Sequence, residues 1–148
     1  MKYLGLDLGS RTLGISVSDA TGLIASSYKT IRHQEEYERL LTEVKQLVEE
    51  LKIDEIVLGF PKNMNNTIGP KGELSLEFKE KLEKIVTIPI HLQDERLTTK
   101  SATDMLIMGN VSRKDRKKVV DSVAATIILQ TYLDRKRNNL WNQTHSQW

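Results

Sequence analysis

The chain of 148 residues contains no cysteine. Disulfides, thiolate metal sites, iron–sulfur clusters and cysteine nucleophiles are therefore excluded together. Long apolar runs are also missing, since nothing approaches the roughly 18 residues of a membrane-spanning helix. The opening MKYLGLDLGSR has a short apolar run broken by Asp7, too short and too polar for a secretory signal. These absences predict a cytoplasmic protein with no membrane partner, in which the sequons at Asn65 and Asn142 carry no glycan. Aromatic residues are only 5%, so base stacking is a minor theme. There is no Walker A loop, no G-x-G-x-x-G and no nucleophile elbow. His33, His91 and His145 are scattered, without the paired spacing of a zinc site. The formal net charge of +2 neither requires nor excludes a nucleic-acid partner, so charge must be read locally.

What is present reads as one domain over residues 1–137, followed by a polar, non-periodic tail at 138–148, disordered or foreign to the fold. Residues 3–8, 13–18 and 23–31 are three strands joined by short turns, which predicts an antiparallel meander. Tyr37, Leu40, Leu41, Val44, Leu47, Val48 and Leu51 recur at three- and four-residue steps, an amphipathic helix over 34–52. Eight acids against three bases between Glu35 and Glu55 make this helix a poor phosphate contact. A buried strand at 56–59 precedes an Asn- and Gly-rich loop over 60–70, and Leu74, Phe78, Leu82 and Ile85 mark a second helix. A strand at 88–92 follows, with Pro89 at its start or on an edge. A helix over 98–108, a basic connection at 109–118 and a final helix over 119–133 complete the order. The predicted fold class is α/β: a five-stranded mixed sheet, three antiparallel strands then two parallel ones, flanked by helices.

Three carboxylate positions need a reason. Asp7 interrupts an apolar strand, where a lone charge is costly unless paired, hydrogen-bonded or bound to a cation. Asp94 and Glu95 follow a strand, at the end where open α/β sheets place functional groups. Asp121 shares a helix face with Ala124, Ala125 and Ile128, so a charge lies on or beside a buried surface. Each has an ordinary alternative: a turn cap for Asp7, a helix cap for Asp94, an ion pair with Arg11 or Arg96 for Asp121. Together they fit one divalent cation better. Mg²⁺ or Mn²⁺, as one ion or two, takes hard oxygen ligands and serves phosphodiester hydrolysis.

The residues also carry a family resemblance. Gly5-Leu6-Asp7-Leu8-Gly9-Ser10-Arg11-Thr12-Leu13-Gly14-Ile15-Ser16-Val17-Ser18-Asp19 resembles the opening motif of the YqgF (RuvX-like) family, within the RNase H-like superfamily. Gly59-Phe60-Pro61-Lys62-Asn63-Met64, Asp94-Glu95-Arg96-Leu97-Thr98-Thr99 and Val120-Asp121-Ser122-Val123-Ala124-Ala125 resemble its later motifs, in order over residues 2–134. Asn66 stands where the family usually has Gly. The resemblance implies an RNase H-like, metal-dependent nuclease linked to maturation of the 5′ end of 16S ribosomal RNA. It carries over Asp7, Glu95 and Asp121 as catalytic and metal-binding positions. Asp94 stays open as a ligand in place of Glu95, because neighbours on an extended segment point oppositely.

The run Arg113, Lys114, Arg116, Lys117 and Lys118, opposed only by Asp115, directly precedes Asp121 and is read as a phosphate-attracting segment. Ser10, Arg11, Asn63, Arg96, Thr98 and Thr99 are further candidates for holding nucleic acid. Structured RNA is the favoured partner, with ribosomal precursor particles behind it and branched DNA as the alternative. A Holliday-junction-type resolvase and a non-catalytic RNA-binding or ribosome-assembly module are the competing functions. An actin-like phosphotransferase would need a second such domain, for which the chain is too short.

Overall fold

The computed structural model describes residues 1–61, 67–94 and 123–138. Three strands form first: β1 (Tyr3–Leu8), β2 (Thr12–Ser18) and β3 (Ala25–Arg32). Then come α1 (Tyr37–Glu50), β4 (Glu55–Phe60), α2 (Pro70–Glu83) and β5 (Ile90–Asp94). A last helix, α3, occupies residues 123–138. The five strands form one sheet in the order β3-β2-β1-β4-β5. Strands β1, β2 and β3 pair antiparallel, whereas β1–β4 and β4–β5 pair parallel. This is the predicted mixed sheet, with β1 at its centre.

Alternation along β1 sorts the two faces. Leu4, Leu6 and Leu8 join Leu13, Ile15, Ile56, Leu58 and Ile90 beneath α1 and α2, the larger core. Helix α1 contributes Leu40, Leu41, Val44 and Leu47, the residues that set the predicted period. Tyr3 points the other way and packs with Val57, Ile128, Leu129 and Leu133 beneath α3. Gly5 is what lets α3 come close. A Cβ there would overlap Ser16 Oγ and stand 2.8 Å from Leu129 Cβ. Ser16 Oγ spans the same gap, donating to the Ala125 carbonyl at 2.8 Å.

Several boundaries differ from the sequence reading. Leu23 and Ile24 lie outside β3 because Asp19 Oδ1 accepts both of their amides, at 3.0 and 3.1 Å. Gly22 completes that turn with φ of 72°. Helix α1 starts at Tyr37 rather than 34, because Glu35 takes a φ of 67° and its N–H goes to His33 Nδ1. Helix α2 starts at Pro70, inside the predicted loop, with proline in the first turn where no N–H is needed. It ends at Glu83, leaving Ile85 exposed. Strand β5 is displaced to Ile90–Asp94, beyond Pro89, whose carbonyl accepts the Ile56 N–H. Helix α3 continues through residue 138, past the predicted end at 133 and into the first residue of the predicted tail. The predicted helix over 98–108, the basic connection, the loop carrying Asn66 and residues 139–148 lie outside the described residues.

Candidate active site

Asp7 occupies the penultimate position of the central strand and is half-buried. By alternation it shares the α3 face with Tyr3 and Gly5. Its neighbour on β2 is Gly14. On the other side, β1 and β4 keep register from Tyr3–Glu55 to Leu6–Leu58, so the next level sets Gly59 beside Asp7. Gly59 in turn pairs with Gln93, and Gly14 with Thr30. One row across the sheet therefore reads Thr30, Gly14, Asp7, Gly59, Gln93. The carboxylate stands between two positions without side chains.

The direction of α3 is fixed by its contacts. Ala125 and Leu129 lie over Gly5. Tyr132 meets the Tyr3 ring at 6.1 Å, and Lys136 Nζ donates to Tyr3 Oη at 2.6 Å. The helix thus runs antiparallel to β1, and its N-terminal end heads toward Asp7.

The turn after Asp7 is pinned from β3. His33 N–H donates to the Arg11 carbonyl at 2.9 Å, and Gly9 N–H closes onto the Thr12 carbonyl at 2.8 Å. His33 Nδ1 accepts from the Glu35 amide at 3.0 Å, so the ring proton lies on Nε2 and donates to the Gly9 carbonyl, also at 3.0 Å. The ring is only 4% exposed. Sequence reading gave His33 no role because both ring partners are backbone groups, one of them the Gly9 carbonyl 24 residues away, which leave no side-chain spacing signal.

Ser10 and Arg11 are exposed in that turn, at the C-terminal end of β1. Asp94 ends β5 opposite Phe60. On β5, Ile90 and Leu92 pack with the α1/α2 core, whereas the His91 ring stacks on Tyr132 of α3 at 5.2 Å. Strand alternation consequently assigns Gln93 to the face of Asp7 and Asp94 to the opposite face. Glu95, Asp121, Asn63, Arg96, Thr98, Thr99, Arg113, Lys114, Arg116, Lys117 and Lys118 lie outside the described residues. Among the described residues, no three acids or histidines gather as a metal site.

The other end of this face is filled. Glu55 faces His91 Nε2 at 3.5 Å and Lys136 Nζ at 3.4 Å. The bond to Tyr3 holds the Lys136 ammonium above its ordinary pKa, with help from Glu55 against partial burial. Burial likewise raises the Tyr132 phenol. His91 sits level with Val57 and Gly5, two residues from the row of Asp7, and so takes no part in the candidate site.

The sequence model of the RuvX family, described as Holliday junction resolvase, matches residues 1–135. The chain belongs to the RuvX family. A protein of Geobacillus sp. strain WCH70, named as a pre-16S rRNA nuclease, is 49% identical over 138 residues, covering 93% of this chain and all of its own length. The Bacillus subtilis protein of the same name is 51% identical over 135 residues, covering 90% of this chain and 98% of its own. Among solved structures, Thermus thermophilus RuvC in complex with a Holliday junction substrate matches with a TM-score of 0.58 at 16% identity, covering 86% of this RuvX chain and 91% of its own. Fowlpox virus resolvase with Holliday junction DNA also scores 0.58, at 10% identity over 91% and 98%. These two likenesses carry the fold: RuvX shares the RNase H-like architecture.

Proposed function

We propose that this RuvX chain is a divalent-metal-dependent nuclease that hydrolyses phosphodiester bonds in precursor 16S ribosomal RNA, at the 5′ end, in the cytoplasm. The observation that carries the reading is Asp7, half-buried on the central strand and flanked by Gly14 and Gly59 where α3 runs in. A carboxylate in that setting suits a hydrated hard cation, either Mg²⁺ or Mn²⁺. The ligand set proposed is Asp7, Glu95 and Asp121. Two features of the described residues support it. Helix α3 runs with its N-terminal end toward Asp7, and Asp121 precedes that end by two residues in the sequence. Strand alternation sets Asp94 on the face opposite Asp7, which argues against Asp94 and leaves Glu95 as the proposed ligand.

Bound there, a divalent cation offsets the negative charge that develops on the phosphate and leaving oxygen. The chain's own residues do the rest. Asp7 holds the charge on a rigid central strand. The turn that carries Ser10 and Arg11 presents a hydroxyl and a guanidinium to phosphate oxygens, and His33 fixes that turn. The proposed basic segment Arg113, Lys114, Arg116, Lys117 and Lys118 adds attraction for the backbone, with Asn63, Arg96, Thr98 and Thr99 as further contacts. The names of the relatives support RNA as the substrate, and with it an association with ribosomal precursor particles. The family description supports a second reading, cleavage of a four-way DNA junction.

The test is cleavage of a labelled panel: a precursor 16S rRNA fragment, single-stranded RNA, single-stranded DNA and a four-way junction, each with Mg²⁺, Mn²⁺ or chelator. Metal-dependent cleavage of the precursor near its mature 5′ end is expected. Cleavage of the junction alone would transfer the substrate to DNA. Binding without cleavage under all conditions would leave a ribosome-assembly module.

A further inference from the structure

At the same end of the sheet, beyond β2, a cleft of about 510 Å³ opens between Arg11, Thr12, Arg32, His33, Gln34, Glu36 and Arg39. We propose that this cleft is a second phosphate-binding site, which holds the backbone of a single nucleic-acid strand a few nucleotides from the bond above Asp7. The proposal rests on the nuclease reading and names where its substrate lies.

Register sets the path. Thr12 pairs with Arg32, and Gly14 with Thr30, so alternation gives Thr12, Thr30 and Arg32 the same face as Asp7. A strand leaving Asp7 toward the β3 edge crosses Gly14, which has no side chain. It then meets the hydroxyls of Thr12 and Thr30 and reaches Arg32. Two strand spacings are about 10 Å. At about 3.4 Å of rise per nucleotide along one strand, that is roughly three nucleotides.

The charges in the cleft are arranged for an anion. Its one acid, Glu36, is already met by Arg39 Nε at 2.9 Å. A second nitrogen of Arg39 donates to the Arg32 carbonyl at 2.9 Å, so Arg39 serves as a brace. Both ring nitrogens of His33 are taken by backbone groups. That leaves the Arg11 and Arg32 guanidinium groups, both exposed and without an ion-pair partner among the described residues. Guanidinium forks suit the paired oxygens of a phosphodiester and read no base. The acidic balance of the segment from Glu35 to Glu55 had argued against a phosphate contact there. The fold separates the first turn of α1 from the rest of that charge and sets it against arginines from β3 and the β1–β2 turn.

The experiment uses the full chain carrying Asp7→Asn, so that substrate is bound and not consumed, and titrates single-stranded RNA against salt. Adding Arg11→Gln and Arg32→Gln together should weaken binding about tenfold or more at 0.1 M salt. The slope of log affinity on log salt should flatten by about 1.4, two contacts at roughly 0.7 each. Lys45→Gln, on the exposed side of α1, should leave both unchanged. Arg32→Lys, which keeps the charge and loses the fork, should fall between. An unchanged slope and affinity in the doubly substituted protein, with its melting temperature intact, would overturn the cleft. Cleavage by the wild-type chain is measured in parallel. If the wild type cleaves none of the panel, the nuclease reading fails by itself, because the titration still reports on the arginines.

Discussion

Along the α3 face of the sheet, the Tyr3 end and the Asp7 end are built on opposite plans. At the Tyr3 end, Tyr132 stacks on His91, Lys136 bonds to Tyr3, and Glu55 lies between Lys136 and His91. Acid, base and ring are matched, and α3 is clamped down. Four residues further along the same central strand, the neighbouring positions on β2 and β4 carry no side chains. Asp7 has glycine on both neighbouring strands, and Ser10 and Arg11 are exposed in the turn that follows it. The same helix crosses both regions. A structural carboxylate in this fold resembles Glu55, surrounded by partners from its own chain. On the nuclease reading proposed above, the Asp7 end is instead reserved for a cation.

The sharpest way to break this comparison is Asp7→Asn. The change keeps size and hydrogen-bonding capacity but removes the charge a metal requires. Cleavage should fall by orders of magnitude. If acids crowd the site without metal, removing one charge relieves repulsion, so the melting temperature in chelator should not drop. A structural ion pair would behave in reverse, with a loss of about 3–5 kcal/mol. A destabilised variant that still cleaves in proportion to its folded fraction would make Asp7 another Glu55.

The fold was legible because its signals are local. The apolar run of β1, the alternating run of β2 and the apolar spacing of α1 report burial directly, and the three elements appear in the expected order. The boundaries of β3 and α1 differed where a side chain captured nearby backbone. Asp19 takes the amides of Leu23 and Ile24, and His33 takes that of Glu35. In the site, Asp7 was visible as a charge in an apolar strand. The importance of Gly14 and Gly59 was not, because a missing side chain gains meaning only once register sets it beside a carboxylate. The cleft was hidden for the same reason: Arg11, Arg32 and Arg39 are unremarkable apart and meet only through the pairing of β2 with β3.

Next in size is Gly5→Ala, between the two ends. Its methyl would overlap Ser16 Oγ and press on Leu129 Cβ and the Ala125 carbonyl, two of them held by a hydrogen bond. Overpacking of this kind costs about 1–3 kcal/mol. Chemical denaturation should show that loss. Because the strain lifts α3, cleavage per folded molecule should fall as well. A variant with normal stability and activity would mean that α3 is not needed close to β1.

A smaller effect is expected at the clamped end itself. Tyr3→Phe removes the oxygen that Lys136 donates to, while the ring stays in its core. A loss of about 0.5–1.5 kcal/mol is expected near neutral pH. The Lys136 pKa is raised in the folded chain, so its contribution is fully present below the unfolded value near 10.4. It disappears as pH rises through the higher folded value. The gap between variant and wild type should accordingly close only in strong alkali. Cleavage near neutral pH should be unaffected, because Asp7 lies at the other end of the strand.

The smallest effect belongs to Asp19, whose turn packs against the clamped end through Gly22, beside Met1 and Tyr3. Its carboxylate accepts the Thr21 hydroxyl and the amides of Ile24 and Leu23, which together lower its pKa to about 2. The group is fully exposed, so solvent screens most of the interaction and only a slight change in melting temperature is expected. The sign is nevertheless definite. With the folded pKa below the unfolded value of about 3.9, the contribution is complete above pH 4. It is lost as pH falls from there through about 2. Asp19→Asn cannot titrate, so the difference between wild type and variant should be constant from neutral pH down to about 4 and then shrink toward pH 2. Melting curves over that range provide the measurement. A difference that grows as the solution is acidified would show that the turn is held by something other than the ionised carboxylate, and would detach it from the clamped end.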